Sequence, residues 1–251
     1  MNGVFRPHDE PMKIFGAACR SLGIYLGTLQ FEQFKMLLEM LLDWNERMSL
    51  TGITEPSRVV IEHFVDSLAP IAYGLLCDGM SIIDVGTGAG FPGLPIAIAL
   101  PNALVALLDA SLKKMTYLNA VKEGIGLSNV ELLLGRAEQL ARAPEHREAY
   151  DVAVARAFGR LDIVLECCMP FVRVGGRTIA YKGPNVFNEL SFGEKAAIEF
   201  GGAVRDVIEF LLPTTNIKRT LVVVEKVKPT PLRYPRRAGI PQKRPIANLL
   251  K

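Results

Sequence analysis

The segment from Ile82 to Gly90, with the sequence IIDVGTGAG, runs from a short apolar stretch directly into three closely spaced glycines. An apolar stretch of this length that stops at glycines predicts a buried strand followed by a tight turn. Glycines at the carboxyl end of a first parallel strand let backbone amides approach a ligand closely. We therefore expect a nucleotide-like cofactor beside Gly86, Gly88 and Gly90, with Thr87 in the same turn. A tight turn without a ligand is the alternative.

From Met80 onward, short apolar segments alternate with helical ones, which is typical of βαβ units and predicts a parallel sheet. The expected strands cover residues 81–85, 104–108, 130–134, 151–155, 176–181, 206–212 and 219–226. The last two lie too close together for a helical crossover, so we expect an antiparallel hairpin that closes the sheet. Five parallel strands closed by such a hairpin are the order expected of a Rossmann-like class I methyltransferase. The predicted fold is therefore α/β, with a mostly parallel seven-stranded sheet and an N-terminal helical extension.

The first 75 residues show helical rather than strand-like spacing of apolar side chains, most clearly between Phe31 and Trp44. A further helix is expected to begin with Thr54 as its N-cap and Pro56 in its first turn, and to end near Ala69. We therefore predict three parts: a helical region (1–75), a methyltransferase domain (76–227), and a basic, proline-rich tail (228–251) with little regular structure.

Composition narrows the possible classes of protein. Hydrophobic residues make up 49% and charged residues 22% of the chain, as in an ordinary globular protein. The N-terminal sequence does not read as a secretion signal, and Pro92, Pro95 and Pro101 interrupt the most apolar stretch, so we expect a cytoplasmic protein without a membrane span. The four cysteines and three histidines show no zinc-ligand spacing, and we expect no metal.

Two acidic positions extend the predicted cofactor site. Asp109 ends the second expected strand about 20 residues beyond the glycine loop, the spacing of a carboxylate that binds a ribose. It could equally be the N-cap of the helix that begins at Ser111. The third strand leads into Arg136-Ala137-Glu138, where an adenine ring would lie in a sheet wound in the usual way. Ala137 and Glu138 could contact that base, although the segment alone is only a turn.

Arg156 and Lys182 follow the fourth and fifth expected strands and should face the same crevice. A cation at the end of an apolar strand needs a partner, which could be an electron-rich substrate or an internal carboxylate. His63 and Asp66 lie on neighbouring positions of one helix face and could contact the substrate or each other. We do not assign His63 as a general base.

Several short segments, in one order along the chain, form a specific set of motifs. They are Trp44-Asn45 with Leu50-Thr51, His63 to Leu68, Asp84 to Gly93, Arg136-Ala137-Glu138, Ala155-Arg156-Ala157, Lys182-Gly183, and Tyr234 to Ile246 in the tail. With these segments the chain resembles the bacterial small-subunit ribosomal RNA guanine-N7 methyltransferase family, also called glucose-inhibited division protein B. Ser49 and Tyr181 depart from the family's usual residues, and both lie outside the cofactor loop.

The resemblance implies S-adenosyl-L-methionine as the cofactor, bound in a crevice that begins at the glycine loop. The implied cofactor contacts are Gly86, Thr87, Gly88, Gly90, Phe91, Asp109, Ala137, Glu138 and Arg156. The substrate-positioning candidates are Arg156, Lys182, His63, Asp66 and Asn45, and the RNA-binding candidates in the tail are Arg233, Arg236, Arg237, Lys243 and Arg244. The implied partner is 16S ribosomal RNA, or the small ribosomal subunit or its assembly intermediate, bound by a monomer.

Guanine N7 carries an available lone pair, so methyl transfer needs no prior proton removal. We expect in-line attack accelerated by positioning and desolvation, with Phe158 as a stacking surface for an unpaired nucleotide. Two other classes stay open on the residues alone. An NAD-dependent oxidoreductase would use the same loop and Asp109, and a non-catalytic RNA-binding protein would need only the tail. A solvated end is the alternative for the tail itself.

Overall fold

The computed structural model describes residues 9–249. Its strands are β1 (Ser81–Val85), β2 (Leu104–Asp109), β3 (Val130–Leu134), β4 (Tyr150–Arg156), β5 (Val172–Lys182), β6 (Gly202–Leu211) and β7 (Lys218–Lys226). They form one sheet in the order β3-β2-β1-β4-β5-β7-β6, in which β7 runs antiparallel to the other six strands. All seven predicted strands and the closing hairpin are confirmed. The strands β5 and β6 each begin earlier than predicted.

The helices cover both faces of the sheet. They are α1 (Asp9–Ser21), α2 (Thr28–Met48), α3 (Pro56–Val59), α4 (Asp66–Ala72), α5 (Gly93–Ala99), α6 (Leu112–Ile125), α7 (Ala137–Leu140), α8 (Leu161–Cys168), α9 (Leu190–Glu199) and α10 (Ile240–Lys243). Side chains alternate across each strand, so Ile82 joins the core under the N-terminal helices while Ile83 joins the core under α8 and α9. Within residues 9–249, none of these helices combines the length and apolar character needed to span a bilayer.

The helical region packs through the apolar stripe of α2 against α5 and α6, two of the helices that cover the sheet. Phe34, Leu37 and Leu41 are fully buried, and the ring of Phe34 lies 4.6 Å from that of Phe15 in α1. The helix predicted around Phe31 to Trp44 is therefore confirmed and is longer than expected. Its buried residues share one core with the sheet, and the division of the chain into three parts stays a prediction.

The second predicted helix differs from the expectation in two ways. Its N-cap is Glu55 and not Thr54, because the Glu55 carboxylate accepts hydrogen bonds from the backbone of Ser57 and Arg58. It is also not continuous α-helix, since a π-helical segment (Val60–Val65) separates α3 from α4. Such wide turns are rare and often mark functional sites. Here the turn contains His63, whose ring contacts Arg156 at the carboxyl end of β4.

The tail is a docked strap and not a solvated end. Between residues 228 and 249 it contains only α10 and a short 3₁₀ turn (Ile246–Asn248), so the prediction of little regular structure is confirmed there. Tyr234 and Ile246 are buried in the core beneath α8 and α9. Arg147 donates to the carbonyl oxygens of Thr230 and Tyr234, which ties the strap to the segment before β4.

Candidate active site

The glycine loop is held in place by a buried carboxylate at the end of β1. Oδ2 of Asp84 accepts hydrogen bonds from the Thr87 hydroxyl at 2.6 Å and from the Gly93 backbone at 2.8 Å. Complete burial raises the pKa of Asp84 to about 6. Sequence reasoning missed this anchoring role, although a charged residue inside an otherwise apolar strand was the available signal. Gly86, with φ of 75°, needs the conformational freedom of glycine.

Asp109 connects the loop to β2. Its Oδ2 accepts from the Gly88 backbone at 3.0 Å and lies 3.3 Å from Nζ of Lys114, while Oδ1 accepts from the Ser111 backbone. The alternative that Asp109 is an N-cap is wrong, because Ser111 is the N-cap of α6 and its hydroxyl accepts from the Lys114 backbone. Asp109 therefore stays available as a carboxylate at the edge of the crevice.

A cavity of about 240 Å³ lies between the glycine loop, the end of β2 and the turn after β3. Its walls are Gly86, Leu108, Asp109, Ala110, Lys114, Gly135, Arg136, Ala137, Glu138, Ala157, Phe158 and Gln242. We call it the adenosine cavity. The structure thus brings Gly86, Asp109, Ala137 and Glu138 together, as the sequence predicted.

Five other predicted cofactor residues are not among the residues that line this cavity: Thr87, Gly88, Gly90, Phe91 and Arg156. Thr87, Gly88 and Gly90 shape the loop through its hydrogen bonds and positive φ values. Phe91 is buried and stacks on the ring of His63, with 4.7 Å between ring centroids. Phe158, by contrast, packs so closely over the loop that a Cβ placed on Gly86 would lie 2.4 Å from its ring.

The adenosine cavity fits S-adenosyl-L-methionine. Asp109 presents a carboxylate at the position expected for ribose hydroxyls. Glu138 is 5% exposed, and although its Oε1 accepts from the Gly239 backbone at 2.8 Å, its Oε2 accepts no hydrogen bond within residues 9–249. That free acceptor and the small side chain of Ala137 suit the edge and face of an adenine ring.

A second cavity of about 320 Å³ adjoins the first. It is lined by Ile53, Glu62, His63, Asp66, Arg156, Ala157, Tyr181, Lys182, Gly183 and Arg219, and we call it the target cavity. Ala157 lines both cavities and adopts a left-handed conformation with φ of 54°. The loop after β4 therefore bends at the point where the two cavities meet.

Arg156 organises the target cavity. One of its terminal nitrogens, Nη1, lies 2.9 Å from Oδ2 of Asp66, and the guanidinium carbon lies 5.2 Å from the ring centroid of Phe91. The other, Nη2, lies 3.2 Å from Nδ1 of His63. The opposite ring nitrogen, Nε2, lies 2.7 Å from the hydroxyl of Thr51. His63 is thus held from both sides.

The charges in the target cavity are largely paired. Lys182 Nζ lies 2.7 Å from Oε2 of Glu189 and 2.7 Å from the carbonyl oxygen of Gly159. Internal pairing, one of the two alternatives for Arg156 and Lys182, is therefore present for both. Burial raises the pKa of Asp66. Its Oδ1 accepts no hydrogen bond within the described range, although Arg219 Nε lies 3.4 Å away.

Arg219 and Thr51 were missed by the sequence analysis. Arg219 lies near the start of the antiparallel strand β7, so counting carboxyl ends of parallel strands does not find it. Asn45 was predicted to position the substrate, but it is not among the residues that line the target cavity. Its amide instead exchanges two hydrogen bonds with the backbone of Thr51. Asn45 therefore positions Thr51, which in turn contacts His63.

The predicted RNA contacts in the tail divide into three groups. Arg236 is a correction, because its guanidinium forms two hydrogen bonds with the fully buried carboxylate of Glu166 and is only 18% exposed. Arg233 is exposed but pairs with Glu199 at 2.6 Å. The remaining candidates are exposed and form no ion pair within residues 9–249; they are Arg237, Lys243 and Arg244.

Comparison with known proteins identifies the family of this chain. A family model described as rRNA small subunit methyltransferase G matches residues 30–218. A ribosomal RNA small subunit methyltransferase G of Alkaliphilus metalliredigens is 42% identical over 237 residues, covering 94% of this chain and 99% of that protein. The protein of the same name from Listeria welshimeri is 42% identical over 232 residues, covering 92% of this chain and 98% of its own.

Solved structures confirm the fold. A SAM-dependent methyltransferase from Aquifex aeolicus superposes with a TM-score of 0.52 at 20% identity, covering 69% of this chain and 94% of that chain. TrmN from Thermus thermophilus superposes with a TM-score of 0.51 at 20% identity, covering 65% of this chain and 48% of that one. The protein is an S-adenosylmethionine-dependent methyltransferase that belongs to the rRNA small subunit methyltransferase G family.

Proposed function

We propose that this protein transfers a methyl group from S-adenosyl-L-methionine to N7 of a guanine in 16S ribosomal RNA. The observation that carries the proposal is the junction of the two cavities at Ala157. One cavity fits an adenosine, and the other offers donors and acceptors to a flipped-out base. The relatives at 42% identity are named as methyltransferases of small-subunit ribosomal RNA, which supports this substrate.

The polar groups of the target cavity favour guanine over adenine. Beside N7, guanine presents the acceptor O6, whereas adenine presents an amino donor. Arg156 and Arg219 line this cavity, and a guanidinium has five N–H donors, so pairing with Asp66 does not exhaust them. An adenine would set its amino group against these donors.

The reaction needs no general base. When bound, S-adenosyl-L-methionine supplies an electrophilic methyl group on its sulfonium. Burial, with a further contribution from the charge of Arg156, lowers the pKa of His63 to about 3, so the imidazole is neutral near pH 7. Since guanine N7 has an available lone pair, the residues of the target cavity contribute by positioning the base and excluding water. Phe158 is half-buried in the wall of the adenosine cavity, next to Ala157 in the chain, and we propose it as a stacking surface for an unpaired nucleotide.

The substrate is 16S ribosomal RNA or a small-subunit assembly intermediate, bound by a monomer in the cytoplasm. The residues of one chain line both cavities, and the monomeric state is part of the proposal. Arg237, Lys243 and Arg244 are exposed on the tail strap and can contact phosphates. Access to ribosomal RNA places the enzyme in the compartment where ribosomes assemble.

The test uses a substrate from which the reacting atom has been removed. Small-subunit RNA is transcribed with 7-deazaguanosine in place of guanosine and incubated with the protein and methyl-labelled S-adenosyl-L-methionine. We expect labelling of the ordinary transcript and none of the 7-deazaguanosine transcript. A transcript containing 7-deazaadenosine is the control and should be labelled normally. Equal labelling of the 7-deazaguanosine transcript would overturn the assignment of N7.

A further inference from the structure

A basic cleft lies beside the adenosine cavity, where the tail strap meets the turn after β3. It has a volume of about 350 Å³ and is lined by Arg136, Ala238, Gly239, Gln242 and Lys243. Gln242 lines both this cleft and the adenosine cavity. The two spaces are therefore neighbours that share one side chain as a wall.

The cleft carries two uncompensated positive charges. Arg136 and Lys243 are exposed, and neither side chain forms an ion pair or hydrogen bond with any residue in the described range 9–249. No carboxylate is among the lining residues. Glu138, an acidic residue that contacts the strap, accepts the Gly239 backbone N–H at 2.8 Å. Two cations facing one cleft without an acidic partner create a local potential that favours an anion.

The strap fixes the geometry of this cleft. Arg236 is anchored on buried Glu166, and Gly239 is anchored on Glu138, so the chain is held immediately before α10. Lys243, at the end of α10, consequently faces Arg136 across the cleft without further ordering of the backbone. A site that is formed before binding loses less entropy when its ligand arrives.

We propose that this cleft binds a backbone phosphate of the RNA substrate close to the methylated base. The inference rests on the proposed function, because it assigns the RNA phosphate to the same active face. Phosphate is the chemistry that an arginine and a lysine facing one cleft recognise. S-adenosyl-L-methionine carries no phosphate, so the cofactor does not supply this ligand.

The experiment measures how binding of fluorescent small-subunit RNA to the full-length protein depends on salt. The variants are Arg136→Gln, Lys243→Gln and the double variant, with Lys228→Gln as the matched control. Lys228 is exposed and lies in the same tail. Because it follows the antiparallel strand β7, it lies at the edge of the sheet opposite the active site. We expect each cleft variant to reduce the slope of log affinity against log salt by about 1. The control should retain the wild-type slope.

A second measurement distinguishes binding of an RNA backbone phosphate from binding of free inorganic phosphate. Inorganic phosphate is titrated against wild-type protein and the double variant at constant ionic strength. If the cleft variants keep the wild-type slope of log RNA affinity against log salt, the inference is overturned, whether or not the cleft binds free phosphate. Methyl transfer by the wild-type protein is assayed in parallel. If it is present while the slopes stay unchanged, only this inference fails; if it is absent, the proposed function fails.

Discussion

Nη2 of Arg156 lies 3.2 Å from Nδ1 of His63, and this contact determines which nitrogen of the imidazole carries the proton. A guanidinium can only donate, so Nδ1 must accept. The proton therefore resides on Nε2, which donates to the Thr51 hydroxyl at 2.7 Å. The same cation, together with burial, keeps the imidazole from taking up a second proton.

Because the pKa of His63 is lowered to about 3, we predict that His63 does not control the pH dependence of turnover. Replacing His63 with Gln should lower the rate by removing contacts to Arg156 and Thr51. The ratio of wild-type to variant turnover should nevertheless stay constant between about pH 5.5 and 8.5, a range that includes the ordinary histidine pKa. A ratio that changes tenfold per pH unit would show that His63 titrates during catalysis.

Alanine substitutions at Gly86 and Gly126 can distinguish the effect of backbone strain from the effect of crowding at the cofactor loop. Gly86 and Gly126 have φ of 75° and 74°, but only at Gly86 would a Cβ meet a neighbour, the ring of Phe158 at 2.4 Å. We predict that Gly126→Ala costs about 1–2 kcal/mol of stability and leaves cofactor affinity unchanged. Gly86→Ala should also weaken S-adenosyl-L-methionine binding at least tenfold by calorimetry. Equal affinities in the two variants would refute the loop's role.

The buried carboxylate of Asp84 should make stability depend on pH. Its pKa of about 6 in the folded protein lies above the unfolded value of about 3.9, so the folded state binds more protons between these values. Its contribution to stability is therefore complete below about pH 4 and is lost as the pH rises to 6. We predict that wild-type unfolding free energy falls relative to Asp84→Asn across this window, by on the order of 3 kcal/mol.

Urea unfolding of both proteins at several pH values measures this difference. The Asn side chain still offers an oxygen to Thr87 and Gly93, so the loop contacts are retained. If the unfolding free energies of wild type and Asp84→Asn change in parallel with pH, Asp84 does not titrate in this range.

Two adjacent arginines of the tail should behave in opposite ways. Arg236 forms an ion pair with fully buried Glu166, whereas Arg237 is exposed and forms no ion pair within the described residues. Arg236→Gln should cost about 3–5 kcal/mol of stability, because it leaves a buried carboxylate without its partner. Arg237→Gln should change stability by less than about 0.5 kcal/mol but lower the salt slope of RNA binding by about 1. Reversed effects would contradict the docked position of the strap.

The sequence predicted those features that depend on local pattern. The strand that ends at Val85, the glycine turn and the carboxylate at Asp109 all follow from short-range spacing, so the sheet and the adenosine cavity were predictable. Arg236 was misassigned because its partner, Glu166, lies 70 positions away and only packing joins them. Arg219 was missed because β7 runs opposite to the strands used to locate the crevice.

The π-helical turn that carries His63 was also beyond the sequence pattern. Apolar spacing in this segment fits an ordinary α-helix. The wider turn accompanies the contacts of His63 with Phe91 and Arg156, which are distant in sequence, so the local pattern does not predict it. The Glu55 cap was missed because Thr is a preferred N-cap residue and Glu is not, yet here the Glu55 carboxylate accepts the backbone hydrogen bonds of Ser57 and Arg58.

The most direct test of methyl transfer to guanine N7 is nucleoside mass spectrometry of small-subunit RNA treated with the purified protein and S-adenosyl-L-methionine. We predict 7-methylguanosine in fragments of the treated RNA, and its loss when Asp109 is replaced by Ala in a variant that still unfolds cooperatively. RNA that carries no new methyl group, or a methyl group on adenine or on another guanine atom, would contradict the account.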